Sequence, residues 1–341
     1  MVVDDGPGAR GLFDLREERE GELRVVRLRY RRRAAAAGYL LGVAAVARRL
    51  AREDGTVDLI HAHVHRMGWG AMLTGTLLRK PVVISEHSSE WTERTLKPAA
   101  LRRARIAFRR AAVVCPVSLA LQHAIEAHGV SARFRVVANA VDTSVFRPSA
   151  ATRADAAREL VNVALHRDVK GLDVLVRAFA AVSSHRDDLR LRLVGVGPRT
   201  PELRYLVERL GLGPRVEFCG PRDAAGVADA LRGADVFVLS SRSETLGVAA
   251  IEALCCGVPV VATAVGGLPE AVQDGDGVLV PVGDEVALAR GIETMLETYG
   301  SFDREAIARR AGARFSLEAI GRTWDEVYRW ARAGGGESPW T

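Results

Sequence analysis

The sequence has 341 residues, 48% of them apolar, with 48 Lys and Arg against 42 Asp and Glu for a net charge of +6. That length exceeds the usual single-domain size and points to two domains of roughly 150 residues each, while the apolar share is ordinary for a globular protein. Lys80, Lys97 and Lys170 are the only lysines; such an arginine bias reflects a GC-rich genome, so the positive charge is not read as a nucleic-acid footprint and no nucleic acid is expected as partner.

In chain order, the first apolar stretch is Ala34 to Ala47, flanked by arginines. It is too short for a bilayer span, which needs about 20 residues, and too far from Met1 for a signal peptide, so the cytoplasm is the expected compartment. From Leu23 onward short apolar runs alternate with helical patterns, the signature of βα units that build a parallel sheet. Strands are predicted at Leu23–Leu28, Val57–His61, Val82–Ser85, Ala112–Cys115 and Arg135–Val137, and helices at Tyr39–Arg52, Trp69–Leu78, Ala99–Arg110 and Leu119–Ala127. Ser118 is the expected N-cap of the last helix, with Gly129 just past its end. These make one doubly wound domain, residues 1–148, closed by a small polar linker at Phe146–Thr152.

The pattern restarts with strands at Leu160–Leu165, Leu189–Val194, Val216–Phe218, Val236–Leu239, Val258–Thr263 and Val278–Val280, a second doubly wound domain over 149–315. Helices near Arg304–Arg314 and Leu317–Ala331 follow; the helix at 316–332 is expected to pack back on the first domain, and the tail at 333–341 to be disordered. The four cysteines, Cys115, Cys219, Cys255 and Cys256, show no Cys-x-x-Cys spacing and read as reduced core residues.

Glu244 and Glu252 carry the most functional information. The run Asp235 to Leu239 before them reads as a buried strand, Gly247 to Cys256 as a helix, and Val258 to Thr263 as the next strand. One acid therefore lies at a strand's carboxyl end and the other inside the helix. Ligands of open parallel sheets bind at that edge, and a helix N-terminus there offers unpaired N–H groups to an anion. A ligand with both hydroxyls and phosphates fits this arrangement.

The Glu-x7-Glu spacing is followed by Gly257-Val258-Pro259-Val260-Val261-Ala262-Thr263. It stands in register with Ile60-His61-Ala62-His63, Ser85-Glu86-His87-Ser88, Val137-Ala138-Asn139, Lys170-Gly171, Val194-Gly195-Val196-Gly197-Pro198 and Gly266-Gly267-Leu268-Pro269-Glu270. In this order and spacing the strings resemble glycosyltransferase family 4, retaining enzymes of GT-B fold, from about Val57 to Leu296. The resemblance implies two doubly wound, Rossmann-like α/β domains with a cleft between them. It implies transfer of a hexosyl unit from a nucleoside-diphosphate sugar, UDP- or GDP-linked, to a glycan, lipid-linked or small-molecule acceptor, with no metal and no further cofactor. It assigns Glu252 to the ribose hydroxyls, Glu244 to the hexose, the backbone around Leu246, Gly247 and Val248 to the diphosphate, and Gly197 to a close backbone approach. Lys170 would face the charge that develops on the leaving diphosphate. His87, after the strand Val82–Ser85, would touch donor sugar and acceptor. No carboxylate is placed as a nucleophile, so front-face attack is expected, with the leaving phosphate accepting the acceptor's proton. The plainer alternatives are a helix-proximal cap for Glu244, a solvated helix face for Glu252 and a satisfied loop histidine for His87; Asn139 is expected to be structural.

Two features depart from the family pattern. The position five before Lys170, usually Arg, is Leu165, and Arg167 is the expected substitute for its diphosphate contact. The family also opens with a strand and a Gly-Gly loop that this sequence does not contain; Val2 to Gly6 then reads as the tail of the second strand, and an in-frame Gly-Gly loop is expected upstream of Met1. A catalytically inactive nucleotide-sugar-binding remnant is therefore the rival reading. A nicotinamide dehydrogenase is disfavoured because Thr200 stands where Gly-x-Gly-x-x-Gly needs its third glycine. Asp274-Gly275-Asp276 reads as turn chemistry rather than a metal motif. His61, His63 and His65 alternate as if on one strand face, with no cysteine or paired carboxylate to complete a zinc site. Arg102, Arg103, Arg105, Arg109 and Arg110 crowd one helix, which reads as a solvated face or, alternatively, as a peripheral contact with the anionic inner face of the cell membrane.

Overall fold

The computed structural model describes residues 2–4, 13–20, 23–30, 35–53, 57–149, 158–336 and 340. The first half contains β1 (Val2–Asp4), β2 (Phe13–Glu20), β3 (Leu23–Tyr30), α1 (Ala35–Glu53), β4 (Ile60–His63), α2 (Val64–Leu78), β5 (Val82–Glu86), α3 (Pro98–Arg110), β6 (Val113–Pro116) and α4 (Leu119–Ala127). The second half runs β7 (Arg158–Val163), α5 (Leu172–Ser183), β8 (Leu189–Val194), α6 (Thr200–Arg209), β9 (Val216–Gly220), α7 (Ala224–Arg232), β10 (Val236–Leu239), α8 (Val248–Cys255), β11 (Val260–Thr263), α9 (Leu268–Ala271), β12 (Gly277–Val280), α10 (Glu285–Glu297), α11 (Arg304–Phe315) and α12 (Leu317–Arg332). Most of the linker expected at Phe146–Thr152 is described; its last residues lie outside the described ones.

The second half is one six-stranded sheet in the order β12-β11-β10-β7-β8-β9, with every neighbour parallel. Helices cover both faces, so β10 and β11 are buried throughout and read as unbroken apolar runs. The winding reverses between β7 and β10, which lie side by side although far apart in sequence. Such a switch point opens a crevice at the strands' carboxyl ends, and the loops leaving β7 and β10 carry Lys170 and Glu244.

The first half differs in detail from the single run of βα units expected. β4, β5 and β6 form a parallel three-stranded sheet, while β1, β3 and β2 form a separate one. β2 and β3 make an antiparallel hairpin in which Phe13 faces Tyr30. Six of the eight residues of β2 are charged, so no apolar run marks it in the sequence. Arg135 to Val137 is not a strand; it lies extended along β6, with Arg135 N donating to Val114 O at 3.1 Å and Val137 N to Pro116 O at 3.0 Å. Ser118 caps α4 as expected, accepting from Leu121 N at 3.0 Å.

The long α12 crosses back to the first half, where Ile320 and Val327 pack with Val83, Cys115 and Val137. In the tail, Trp340 lies 5.1 Å from the Trp330 ring. The halves are also tied beside the crevice. Ser118 Oγ donates to Thr245 O at 2.6 Å, and Glu270 accepts from the amides of Leu119 at 2.7 Å and Ala120 at 2.8 Å, so a carboxylate of one half satisfies the helix start of the other. All four cysteines are free thiols. No described helix is long and apolar enough to cross a membrane.

Candidate functional site

The turn after β7 is stitched to the loop after β10. Gly171 adopts φ 59°, and a Cβ there would stand 2.2 Å from Ser240 O, so only glycine permits the approach. Ser240 Oγ donates to the carbonyls of Lys170 at 3.1 Å and Gly171 at 2.9 Å, and Arg242 N donates to Val169 O at 2.7 Å. The Arg242 guanidinium grips both oxygens of Asp173 at 2.8 and 2.9 Å. Held this way, Lys170 Nζ reaches Glu244 Oε1 at 2.6 Å, an oxygen that also accepts from Ser241 Oγ at 2.8 Å. Glu244 Oε2 accepts no hydrogen bond among the described residues, so one carboxylate oxygen is left for a ligand. Glu244 caps no helix.

Beyond Glu244 the chain enters α8 through Gly247, at φ 87° and without a side-chain cap. Among the described residues the amides of Leu246, Gly247, Val248 and Ala249 donate to no acceptor, as the opening amides of a helix do when no side chain caps them. Gly266 allows the neighbouring loop to lie against this one, since a Cβ there would be 1.7 Å from Glu244 O. Glu252 sits one turn into α8, largely buried. Burial pushes its carboxyl up to about 7, and it has no ion-pair or hydrogen-bond partner among the described residues. That is not a solvated helix face: a half-ionised, unpartnered carboxyl is an open acceptor for hydroxyl donors.

The opposite wall is built on Glu86, the last residue of β5 and fully buried. Its Oε1 accepts from His87 N at 3.0 Å and Ser88 N at 2.8 Å, while its Oε2 takes His65 N at 2.7 Å and His65 Nδ1 at 3.2 Å. The carboxylate thus fixes the backbone that presents His87. The His87 ring meets Asn139 Oδ1 through Nδ1 at 3.1 Å and His63 Nδ1 through Nε2 at 3.3 Å. Asn139, expected to be structural, therefore orients the cleft histidine. Burial and two neighbouring histidines lower His61 to about 4, and burial and His87 lower His63. Of the three alternating histidines only His61 and His63 share β4; His65 belongs to α2.

Thr92 Oγ1 and Ser243 Oγ meet across the cleft at 3.2 Å. Beside them a cavity of about 270 Å³ is lined by Trp91, Arg94, His128, Ser243, Glu244 and Gly266 among others. Lys170 and Glu244 thus meet at the switch point, Gly247 and Glu252 follow on the loop and helix after Glu244, and His87 stands on the first half just past β5. Arg167 accepts from Lys170 N through its carbonyl at 3.0 Å and lines a groove between α5 and α6 with Arg177, Arg199 and Tyr205, and Leu165 is 61% exposed. A Cβ on Gly197 would be 2.4 Å from His166 O, so the close approach there is to the neighbouring loop of this chain. Asp276 is held by Arg310, in keeping with a structural turn. In the sequence Glu86 has no assigned role, Asn139 is expected to be structural and His63 reads only as one of three alternating histidines, although all three stand inside the motif strings; the pairing of His63 with Ser85 across β4 and β5 brings His63 beside His87, which Asn139 meets from the other side.

The family described as Glycosyltransferase Family 4 matches residues 7–145, and the one described as Glycosyl transferases group 1 matches residues 157–298. The chain is 33% identical over 314 residues to the D-inositol 3-phosphate glycosyltransferase of Kribbella flavida, covering 82% of this chain and 73% of that relative. The chain belongs to glycosyltransferase family 4. Its fold agrees: HepE of Anabaena, solved in complex with UDP, superposes with a TM-score of 0.75 at 25% identity, over 84% of this chain and 81% of that one. The sucrose-phosphate synthase of Thermosynechococcus elongatus superposes with a TM-score of 0.77 at 26% identity, over 98% and 88%. This is a glycosyltransferase of GT-B fold, and the crevice at the switch point of its second Rossmann-like sheet is where family 4 chemistry is to be sought.

Proposed function

We propose that this family 4 enzyme is a retaining, metal-independent hexosyltransferase that uses a UDP-sugar. The observation that carries the reading is the Lys170–Glu244 pair at the β7/β10 switch point, 2.6 Å apart, next to the unpaired amides that open α8. UDP is favoured over GDP because HepE was solved with UDP and with UDP-glucose. The diphosphate lies on the amides of Leu246 to Val248, Lys170 supplies its counter-charge, Glu252 accepts from the ribose hydroxyls, and Glu244 Oε2 accepts from a hexose hydroxyl. As the bond from the anomeric carbon to the diphosphate breaks, negative charge grows on the leaving oxygen and Lys170 stabilises it. The acceptor hydroxyl attacks from the same face, and its proton passes to the departing phosphate. His87 positions the reacting sugar.

Among glycan, lipid-linked and small-molecule acceptors, the Kribbella relative's name favours a small phosphorylated polyol. Free thiols suit the reducing cytoplasm. The exposed arginines of α3 around the partly exposed Ile106 support an accessory contact with anionic lipid, to be checked by co-sedimentation with phosphatidylserine vesicles. The rival, an inactive binding protein, draws support from Leu165, which leaves the diphosphate without the arginine the family usually supplies. UDP release from UDP-glucose and other UDP-sugars, with and without D-inositol 3-phosphate, decides between them. Slow release that an acceptor accelerates, with retained anomeric configuration in the product, supports transfer; UDP binding without turnover of any donor supports the inactive reading.

A further inference from the structure

The histidines of β4 have no part in the chemistry above, yet they are ordered as tightly as any group in the cleft. Residues two apart on a strand face the same way, so His61 and His63 stand side by side. The strand stops abruptly after them because Val64 turns the chain with φ 60°, a left-handed conformation that is an outlier for a β-branched residue and that tends to persist at functional sites. The turn sends His65 inward to Glu86 and leaves His63 at the cleft. His61 is fixed at both nitrogens, by Tyr328 Oη of α12 at 2.8 Å and by Ser85 Oγ at 2.5 Å. His63 lies on the His61 ring with centroids 4.5 Å apart and is nearly coplanar with His87, edge to edge, at a 9° angle with centroids 5.6 Å apart.

Proton counting sets the direction of these bonds. Asn139 Oδ1 can only accept, so His87 carries its proton on Nδ1. In that tautomer the lone pair is on His87 Nε2, and the group within reach of it, His63 Nδ1 at 3.3 Å, is the donor. We propose that His63 is a positioning residue: its Nδ1–H holds His87 in the Nδ1–H tautomer and keeps the place of a substrate hydroxyl, which takes over as donor to His87 Nε2 when the cleft fills. His61, Ser85 and Tyr328 form the anchor of the stack, which links the C-terminal helix to the cleft.

The hydroxyl exchange rests on the donor reading given above, whereas the tautomer does not, and the test separates them. In protein labelled with 15N-histidine, long-range proton–nitrogen correlation is expected to show wild-type His87 protonated at Nδ1 alone. His63→Leu removes the donor and is expected to give averaged nitrogen shifts at His87, with kcat on a UDP-sugar lowered roughly tenfold to a hundredfold and donor KM little changed. His63→Asn places an amide N–H where Nδ1–H stood and is expected to restore the tautomer and most of the rate. A wild-type His87 protonated at Nε2, or a His63→Leu protein with the wild-type tautomer and kcat, overturns the proposal. So does equal loss of rate in the Leu and Asn variants with the tautomer unmoved, the pattern of a merely structural role. Absence of turnover in the wild type counts against the donor reading and leaves the tautomer result standing.

Discussion

On both walls of the cleft burial drives an ionisable group toward its neutral form, an acid on one wall and a base on the other. On the second half's wall, burial raises Glu252 from 4.5 to about 7; on the first half's wall, burial and neighbouring rings lower His61 from 6.5 to about 4. Both shifts favour the neutral form, but they act on stability in opposite directions. Between pH 4.5 and 7 the folded chain holds a proton on Glu252 that the unfolded chain has lost, so that contribution, full at low pH, disappears as pH rises through 7. Between pH 4 and 6.5 the unfolded chain binds a proton that folded His61 refuses, so that contribution is full above 6.5 and falls as pH drops toward 4. One wall carries a buried acid that gains charge near neutral pH, and the other carries a buried base that stays uncharged there. Lys170 is the cation hydrogen-bonded to Glu244 in the crevice, and the contrast can be broken one residue at a time.

The largest effect is expected from Lys170→Ala, which removes the cation 2.6 Å from Glu244: kcat/KM for a UDP-sugar should fall by roughly a thousandfold, the upper range for deleting one charge-stabilising group. Steady-state kinetics check this, and an unchanged value would remove Lys170 from the chemistry. Next comes Glu86→Ala on the histidine wall. It strips the acceptor from the amides of His65, His87 and Ser88 and should cost about 3 kcal/mol in denaturant unfolding. A loss below about 1 kcal/mol would mean that solvent takes over those bonds. The pH-dependent contributions are at most about 3 kcal/mol each from shifts of this size, less after solvent screening, and they offset one another in the wild type. Glu252→Gln should therefore make stability rise more steeply from pH 4.5 to 6.5, and His61→Gln should reverse the trend. Parallel profiles for all three proteins would contradict the opposed-wall account.

How legible each wall was follows from its physics. The second half is covered on both faces, so β10 and β11 appear as uninterrupted apolar runs, and Glu244, Lys170 and the helix start fall at fixed offsets from strand ends. Sequence alone could place those groups. It could not say that Glu252 is unpartnered, because burial of one side of α8 depends on how the halves close. On the first half, β2 is mostly charged and is held by backbone pairing with β3, which no side-chain pattern reveals. Glu86 receives no role from the sequence, since glutamate is rarely buried without partners and most of its partners are backbone amides that any sequence would supply. Arg167 stands in the sequence as the substitute for the arginine missing at Leu165; the turn at Asp168–Lys170 binds it to Lys170 through the backbone, and it also lines the groove between α5 and α6, which spacing alone does not reveal. His63 and His87 are far apart in sequence and meet because β4 and β5 pair with His63 opposite Ser85.

The central claim is that the second half's wall binds the nucleotide of a UDP-sugar through an ionised Glu252. Calorimetric titration of UDP into the wild type and Glu252→Gln at pH 6 and pH 8 tests it directly, with the variant giving the baseline for the ligand's own titration. A carboxyl that titrates near 7 is about one-tenth ionised at the lower pH and about nine-tenths at the higher. The wild type should therefore gain about tenfold in UDP affinity relative to the variant over that interval. Identical pH dependence in the two proteins, or no binding of UDP by the wild type, would contradict the account.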